Sequence, residues 1–118
     1  MVLLVEKLFY NSHLKGREQL NNMNRNQVLH LVTTHQDDLQ LLGVKTLELF
    51  GSVARDNTNS ESDVDFLAEF SHPITLFQFI KIKLYLEDLL GHPVDLGTRE
   101  ALKENLRQPV LQEVIRVF

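Results

Sequence analysis

The feature that most constrains the fold is a pair of aspartates in an apolar segment that alternates like a β-strand. Asp63 and Asp65 flank Val64 at the start of Asp63–Phe70. On a strand, residues two apart point to one face, with Cα atoms about 6–7 Å apart. Two carboxylates on one face repel each other, and aspartate is uncommon inside strands. Either this strand is an exposed edge with solvated carboxylates, or a cation lies between them.

The apolar neighbours favour a mostly buried strand, and therefore a cation. Magnesium is the natural candidate, because it binds carboxylates together with the phosphate oxygens of a substrate. A third carboxylate, Asp95, lies in a short strand predicted over Pro93–Leu96. Alone, Asp95 fits an ordinary strand end. If its strand lies beside Asp63–Phe70, three carboxylates converge and can hold two metal ions about 3.5–4 Å apart. Asp95 could then also orient or deprotonate an attacking hydroxyl.

A glycine–serine pair follows the first predicted strand, Val44–Phe50. Gly51 has no Cβ, so its backbone N–H can approach a phosphate closely, and the Ser52 hydroxyl adds a donor. For this pair alone, a plain turn is the other interpretation. The segment Gly51–Ser62 is otherwise polar and loop-like.

Periodicity and caps predict the other elements. Helices are expected over 24–42 with Asn24 as the cap, from the Thr75 cap to Leu90, and over Arg99–Arg107, stopping near Pro109. A terminal strand is expected at Val114–Val117. The face of the second helix expected to pack on the core contains Leu76, Phe79, Ile80, Leu84 and Leu89. Phe77 is likewise expected to be a core residue. This order of elements predicts an α/β (α+β) fold, a small mixed β-sheet flanked by helices.

Composition limits the size and the chemistry. The 118 residues fit one domain, and the absence of cysteine excludes disulfides, cysteine-based zinc sites and thiol nucleophiles. A net charge of −4 and short apolar runs argue against general nucleic-acid binding and against a membrane span. We interpret residues 1–22 as an N-terminal extension, either an upstream or vector-derived addition or an arm that packs on a partner. The functional domain is then expected over 23–118.

The motif residues resemble a known superfamily. Gly51-Ser52, ten residues, then Asp63-Val64-Asp65 is similar to the signature of the DNA polymerase β-like nucleotidyltransferases. Residues 23–118 most resemble the minimal nucleotidyltransferase (MNT) antitoxins of HEPN/MNT toxin–antitoxin pairs. The matching segments are Leu49–Arg55, Ser62–Phe66, Leu90–Leu96 and Ala101-Leu102-Lys103.

The resemblance implies a polymerase β-like fold and a magnesium-dependent reaction, with two ions, that uses ATP as substrate. Gly51 and Ser52 would hold the triphosphate, Asp63 and Asp65 would ligate metal, and Asp95 would complete the second metal site and help to activate the acceptor. Arg55 and Ser62 are candidate nucleotide contacts; Arg55 could also simply pair with a loop carboxylate, Asp56 or Glu61. The implied acceptor is a tyrosine of a HEPN ribonuclease toxin, which AMP silences. The implied location is a prokaryotic cytoplasm.

Two other functions remain open from the sequence. The chain could neutralise a toxin by binding alone, with a vestigial or merely nucleotide-binding site, or it could modify small molecules with the help of a partner subunit. Members of the resembled family often have glycine after the Arg55 position, where this chain has Asp56. That departure bears on the conformation of the loop after Gly51-Ser52.

Overall fold

A four-stranded mixed sheet lies at the centre of the protein. The computed structural model describes residues 23–57 and 63–118. Its elements are α1 (Arg25–Thr34), α2 (Gln36–Leu41), β1 (Val44–Phe50), α3 (Gly51–Ala54), β2 (Val64–Phe70), α4 (Leu76–Leu90), β3 (Val94–Gly97), a 3₁₀ turn (Arg99–Ala101), α5 (Glu104–Glu113) and β4 (Ile115–Arg116). The predicted α/β fold with a small mixed sheet is confirmed.

The sheet has the order β3-β2-β1-β4. β1 pairs antiparallel with β2 and with β4, whereas β2 pairs parallel with β3. The parallel pair is joined through α4, as a crossover connection requires. β3 therefore lies directly beside β2, the arrangement on which the convergence of the three carboxylates depended.

One face of the sheet carries the hydrophobic core. α1, α2 and α4 bury residues against alternate positions of β1, β2 and β3, including Val32, Leu49, Phe66, Leu86 and Leu96. Helices α1 and α4 begin with the predicted caps. Asn24 and Thr75 each form a capping box with the glutamine three residues later. The other face of the sheet carries Glu48, Asp65 and Asp95.

The predicted helix over 24–42 is divided in two at His35. Thr33 and Thr34 each donate a side-chain hydrogen bond to the carbonyl four residues earlier, on Leu29 and His30. Such back-bonding bends helices. The His35 N–H then bonds the Val32 carbonyl, which tightens the last turn of α1.

The expected stop near Pro109 is wrong, because α5 continues through it to Glu113. A proline inside a helix deprives the carbonyl four residues earlier of its N–H partner. Here that carbonyl belongs to Asn105, an exposed residue, so water can solvate it. The predicted terminal strand is present, shortened to Ile115–Arg116.

The predicted core face of α4 is wrong in part. Its buried residues are Ile82, Leu86 and Leu90, and Phe79 and Leu89 are partly buried against the core. The exposed large apolar residues of α4 are Leu76, Phe77, Ile80 and Leu84. The helix is apolar on two opposite faces, so periodicity alone did not identify the packed one. Phe77, expected in the core, is 65% exposed.

The predicted extension over 1–22 lies outside the described residues, so the boundary at Met23 stays a prediction. Within 23–57 and 63–118, none of the helices is both long enough and apolar enough to cross a bilayer.

Candidate active site

Two of the three predicted aspartates are register partners on neighbouring strands. Asp65 on β2 lies opposite Asp95 on β3, and opposite Phe50 on its other side. Neighbouring strands are about 4.8 Å apart, so both carboxylates project from one face at close range. Asp63 immediately precedes β2, is exposed, and acts electrostatically on Asp65. The fold therefore places Asp65 beside Asp95 on this face of the sheet, with Asp63 just before the start of β2.

Gly51, which follows β1, borders the site on the side opposite Asp95. The residue begins α3 with a φ of +77°, a left-handed conformation that favours glycine. A Cβ placed on Gly51 would lie 2.2 Å from Oδ2 of Asp65 and 3.1 Å from its Cγ. Only a residue without a side chain fits there. The backbone at the start of α3 thus packs directly against the central carboxylate.

The electrostatics of Asp65 reflect this crowding. The pKa of the Asp65 carboxyl is raised to about 6, first by burial and then by the negative charges of Asp95 and Asp63, whereas Arg55 opposes the shift. Burial and like charge both disfavour the ionised form. A cation at this point would reverse the penalty, because it would favour the ionised carboxylate.

The donor set fits magnesium bound together with a substrate. Within the described part of the chain, no group of three or more histidine, aspartate or glutamate side chains is arranged to hold a metal ion by itself. Magnesium, however, is usually held by one or two carboxylates, with water and substrate phosphates completing its octahedron. Asp65 and Asp95 supply such a pair of oxygen ligands. The arrangement fits an ion that arrives with a nucleotide better than a permanent metal site.

Ser52 follows Gly51 in α3, and its backbone carbonyl accepts a hydrogen bond from the Asn57 N–H at 2.9 Å. Part of the segment predicted to be a loop is therefore a short helix that follows β1. Ser62, the remaining candidate nucleotide contact, lies outside the described residues. Its role stays a prediction.

Arg55 follows the last residue of α3 as its C-cap, and it pairs with a residue that the sequence did not indicate. Its Nη1 lies 2.8 Å from Oε2 of Glu113, the last residue of α5. Of the two loop carboxylates considered as partners of Arg55, Asp56 does not form a salt bridge with it, and Glu61 lies outside the described residues. No sequence signal joins two residues 58 positions apart, so reasoning from the sequence missed Glu113. The positive charge of Arg55 nevertheless acts on Asp65.

The structure shows how Asp56 can stand at a position where the resembled family often has glycine. The residue has a φ of +59°, so its position favours glycine, although aspartate also tolerates this conformation. Its Oδ1 accepts a hydrogen bond from the Arg25 N–H, 3.2 Å away at the start of α1. The Arg25 side chain in turn donates to the Ala54 carbonyl at 3.2 Å. The aspartate thereby ties the end of α3 to α1.

Comparisons with known proteins agree with this geometry. The model of the nucleotidyltransferase domain family matches residues 33–117. The protein adenylyltransferase MntA of Thermococcus cleftensis is 37% identical over 92 residues, which cover 77% of this chain and 93% of that protein. A solved structure, described as a candidate minimal nucleotidyltransferase, has a TM-score of 0.69 and 33% identity over 80% of this chain and 97% of its own.

A second solved structure shares the fold at lower identity. It is a complex of a tri-AMPylated HEPN toxin of Shewanella oneidensis with its MNT antitoxin, with a TM-score of 0.55 and 17% identity. The match covers 76% of this chain and 71% of the other. The domain match, the coverage of MntA and the fold together lead to one conclusion. This chain belongs to the nucleotidyltransferase domain family, with the polymerase β-like fold of the minimal nucleotidyltransferases and as a homologue of the protein adenylyltransferase MntA.

Proposed function

We propose that this chain is the antitoxin of a toxin–antitoxin pair and transfers AMP from ATP to a tyrosine hydroxyl of a HEPN ribonuclease toxin. The observation that carries the proposal is the row formed by Asp65 and Asp95, with Gly51 packed against Asp65. Homology to a protein adenylyltransferase and structural similarity to an MNT antitoxin bound to an AMPylated toxin support it.

Each site residue has a proposed task. Gly51 and Ser52 bind the triphosphate through the backbone and the serine hydroxyl, at the end of β1. Asp63 and Asp65 hold magnesium, and Asp95 completes a second ion site. When bound, magnesium offsets the charge of the phosphates and polarises the α-phosphate.

The transfer itself is a displacement at the α-phosphorus of ATP. The acceptor oxygen forms a bond to this phosphorus while the bond to the bridging oxygen of the β-phosphate breaks, and pyrophosphate leaves. Asp95 lies at the opposite end of the row from Gly51, and we assign to its carboxylate the task of taking the hydroxyl proton. Positioning of the reactants and electrostatic stabilisation supply most of the rate enhancement.

Arg55 and Ser62 are proposed as further nucleotide contacts. The guanidinium of Arg55 is half-exposed and already paired with Glu113, so it would share its donors with a phosphate oxygen. The cellular setting proposed is the cytoplasm of a prokaryote, with the toxin as a hetero-oligomeric partner. Direct nucleic-acid binding by this chain is not part of the proposal.

The test uses ATP labelled at the α-phosphate, magnesium and the HEPN-type protein encoded beside this chain. Label is expected on that protein with the wild type and is expected to be lost with the double variant Asp63→Ala, Asp65→Ala. The same variants are compared for neutralisation of toxicity in cells. Full neutralisation by the double variant would overturn the catalytic proposal and favour neutralisation by binding alone.

A further inference from the structure

A cavity lies over the open face of the sheet, beyond the aspartates. Its volume is about 250 Å³, and the charged residues that line it are Glu48, Glu69, Arg99, Glu100 and Arg116. Along β1 and β2 the register pairs Phe50 with Asp65, Glu48 with Leu67 and Thr46 with Glu69. Because alternate residues share a face, the cavity is on the same face as Asp65. The proposed function uses none of these charged residues.

Gly97 leaves the edge strand β3 open between Asp95 and this cavity, whereas Leu67 beside it on β2 is covered, with 2% of its surface exposed. The glycine is two residues after Asp95 on β3 and is the register partner of Leu67. Residues two apart on a strand share a face and are about 6–7 Å apart. A Cβ on Gly97 would have no heavy atom within 4 Å, which means that a side chain there would project into open space. An extended segment lying along β3 therefore has room to pass from Asp95 toward the cavity.

The lining of the cavity carries more negative than positive charge. Its three glutamates exceed its two arginines by one formal charge. Arg99 is already engaged, because its guanidinium forms two hydrogen bonds to the carboxylate of Glu48, one of them 2.8 Å long. That hydrogen bonding raises the pKa of Arg99, and the charges of Glu48, Glu69 and Glu100 add to the effect. Glu69 and Glu100 are exposed carboxylates at the cavity. Arg116 is also exposed in the lining, and the remaining excess of one negative charge favours a segment with a basic side chain.

We propose that the cavity and the open strip over Gly97 bind the polypeptide segment that carries the acceptor hydroxyl. A basic side chain of that segment is received by Glu69 and Glu100. This inference rests on the proposed function, since it takes a protein to be the acceptor. The phosphates are assigned to Gly51, at the far end of the row from Asp95, so nucleotide and acceptor occupy separate parts of the same face.

A bulky side chain at position 97 tests whether the acceptor segment passes over Gly97. Gly97→Phe is expected to lower AMP transfer to the HEPN protein by about tenfold or more, because misplacement of the acceptor by an ångström is costly. The Kd for ATP with magnesium is expected to stay within about twofold, as for a substitution away from the nucleotide. Gly97→Ala is the matched control and should transfer nearly as well as the wild type. Equal transfer by the wild type and Gly97→Phe would overturn the path.

Charge reversal tests the cavity without adding bulk to the strip. Glu69→Lys is expected to raise the KM for the acceptor protein about fivefold with little change in kcat, as the loss of roughly 1 kcal/mol of complementarity would do. Asp37→Lys makes the same charge change on α2, which packs on the opposite face of the sheet, and should leave KM unchanged. Equal KM values for the two variants would overturn the assignment of the cavity.

The two proposals fail in different ways. If the wild type transfers no AMP to the HEPN protein, the proposed function fails and this inference fails with it. If the wild type transfers AMP and Gly97→Phe and Glu69→Lys behave like their controls, only the acceptor site is wrong.

Discussion

Replacing Gly51 with alanine tests the packing that joins the start of α3 to the central carboxylate. The added Cβ would lie 2.2 Å from Oδ2 of Asp65, far inside van der Waals contact. The φ of +77° adds a backbone cost of about 1–2 kcal/mol for a residue with a side chain. Relief of the clash resembles overpacking of a core, at about 1–3 kcal/mol. We therefore expect Gly51→Ala to lower the free energy of unfolding by about 2–5 kcal/mol, and to weaken ATP binding.

Denaturant unfolding and calorimetric titration with ATP and magnesium measure both effects. Gly97→Ala is the control, because its Cβ meets nothing within 4 Å and its change in stability should be below about 1 kcal/mol. In an Asp65→Ala background the contact with Oδ2 is gone and only the Cβ of residue 65, 3.3 Å away, remains, so the cost of Gly51→Ala should fall toward the backbone part, about 1–2 kcal/mol. If Gly51→Ala is as stable as Gly97→Ala, or if the cost is the same in both backgrounds, the packing argument is refuted.

Three further substitutions have expected outcomes. The pKa of Asp65 is raised from 3.8 to about 6 in the fold, so its ionisation should destabilise the nucleotide-free protein as pH rises from about 4 to 6. Asp65→Asn should therefore gain in melting temperature relative to the wild type over that range. A difference in melting temperature that stays constant from about pH 4 to 7 would contradict this. Asp56→Gly should change the free energy of unfolding by less than about 1 kcal/mol, because it relaxes a φ of +59° but loses the hydrogen bond to the Arg25 N–H. Asp56→Val should lower the free energy of unfolding by more than that. Equal denaturation midpoints for the two variants would argue against a left-handed conformation at residue 56. Arg55→Met should lower the free energy of unfolding by at most about 1 kcal/mol, since the pair with Glu113 is half-exposed. It should nevertheless weaken ATP binding if the guanidinium contacts phosphate. Unchanged ATP affinity would remove Arg55 from the site.

Local chemistry accounts for the features that the sequence predicted well. The caps at Asn24 and Thr75 depend on residues three positions apart, and the alternation that predicts β2 lies within one short segment. The contact between Asp65 and Asp95 could be predicted only conditionally, because it depends on β3 pairing with β2 across the α4 crossover. Once that pairing exists, the register brings the two carboxylates together.

The features that were missed depend on long-range packing. Apolar residues on both sides of α4 give no local reason to bury Ile82 rather than Ile80, so only the position of the sheet decides. The pairing of Arg55 with Glu113 requires α5 to pass beside α3, and α5 reaches that place because it continues through Pro109. Neither the cavity nor the open strip at Gly97 has a sequence signature.

The most direct test of the central claim is the intact mass of the HEPN-type partner after co-expression with this chain. With the wild type, we expect the partner's mass to increase by a whole number of AMP groups, located on tyrosine by peptide fragmentation. With Asp65→Asn, we expect the unmodified mass. A partner that is neutralised by the wild type and yet keeps its unmodified mass would contradict the account.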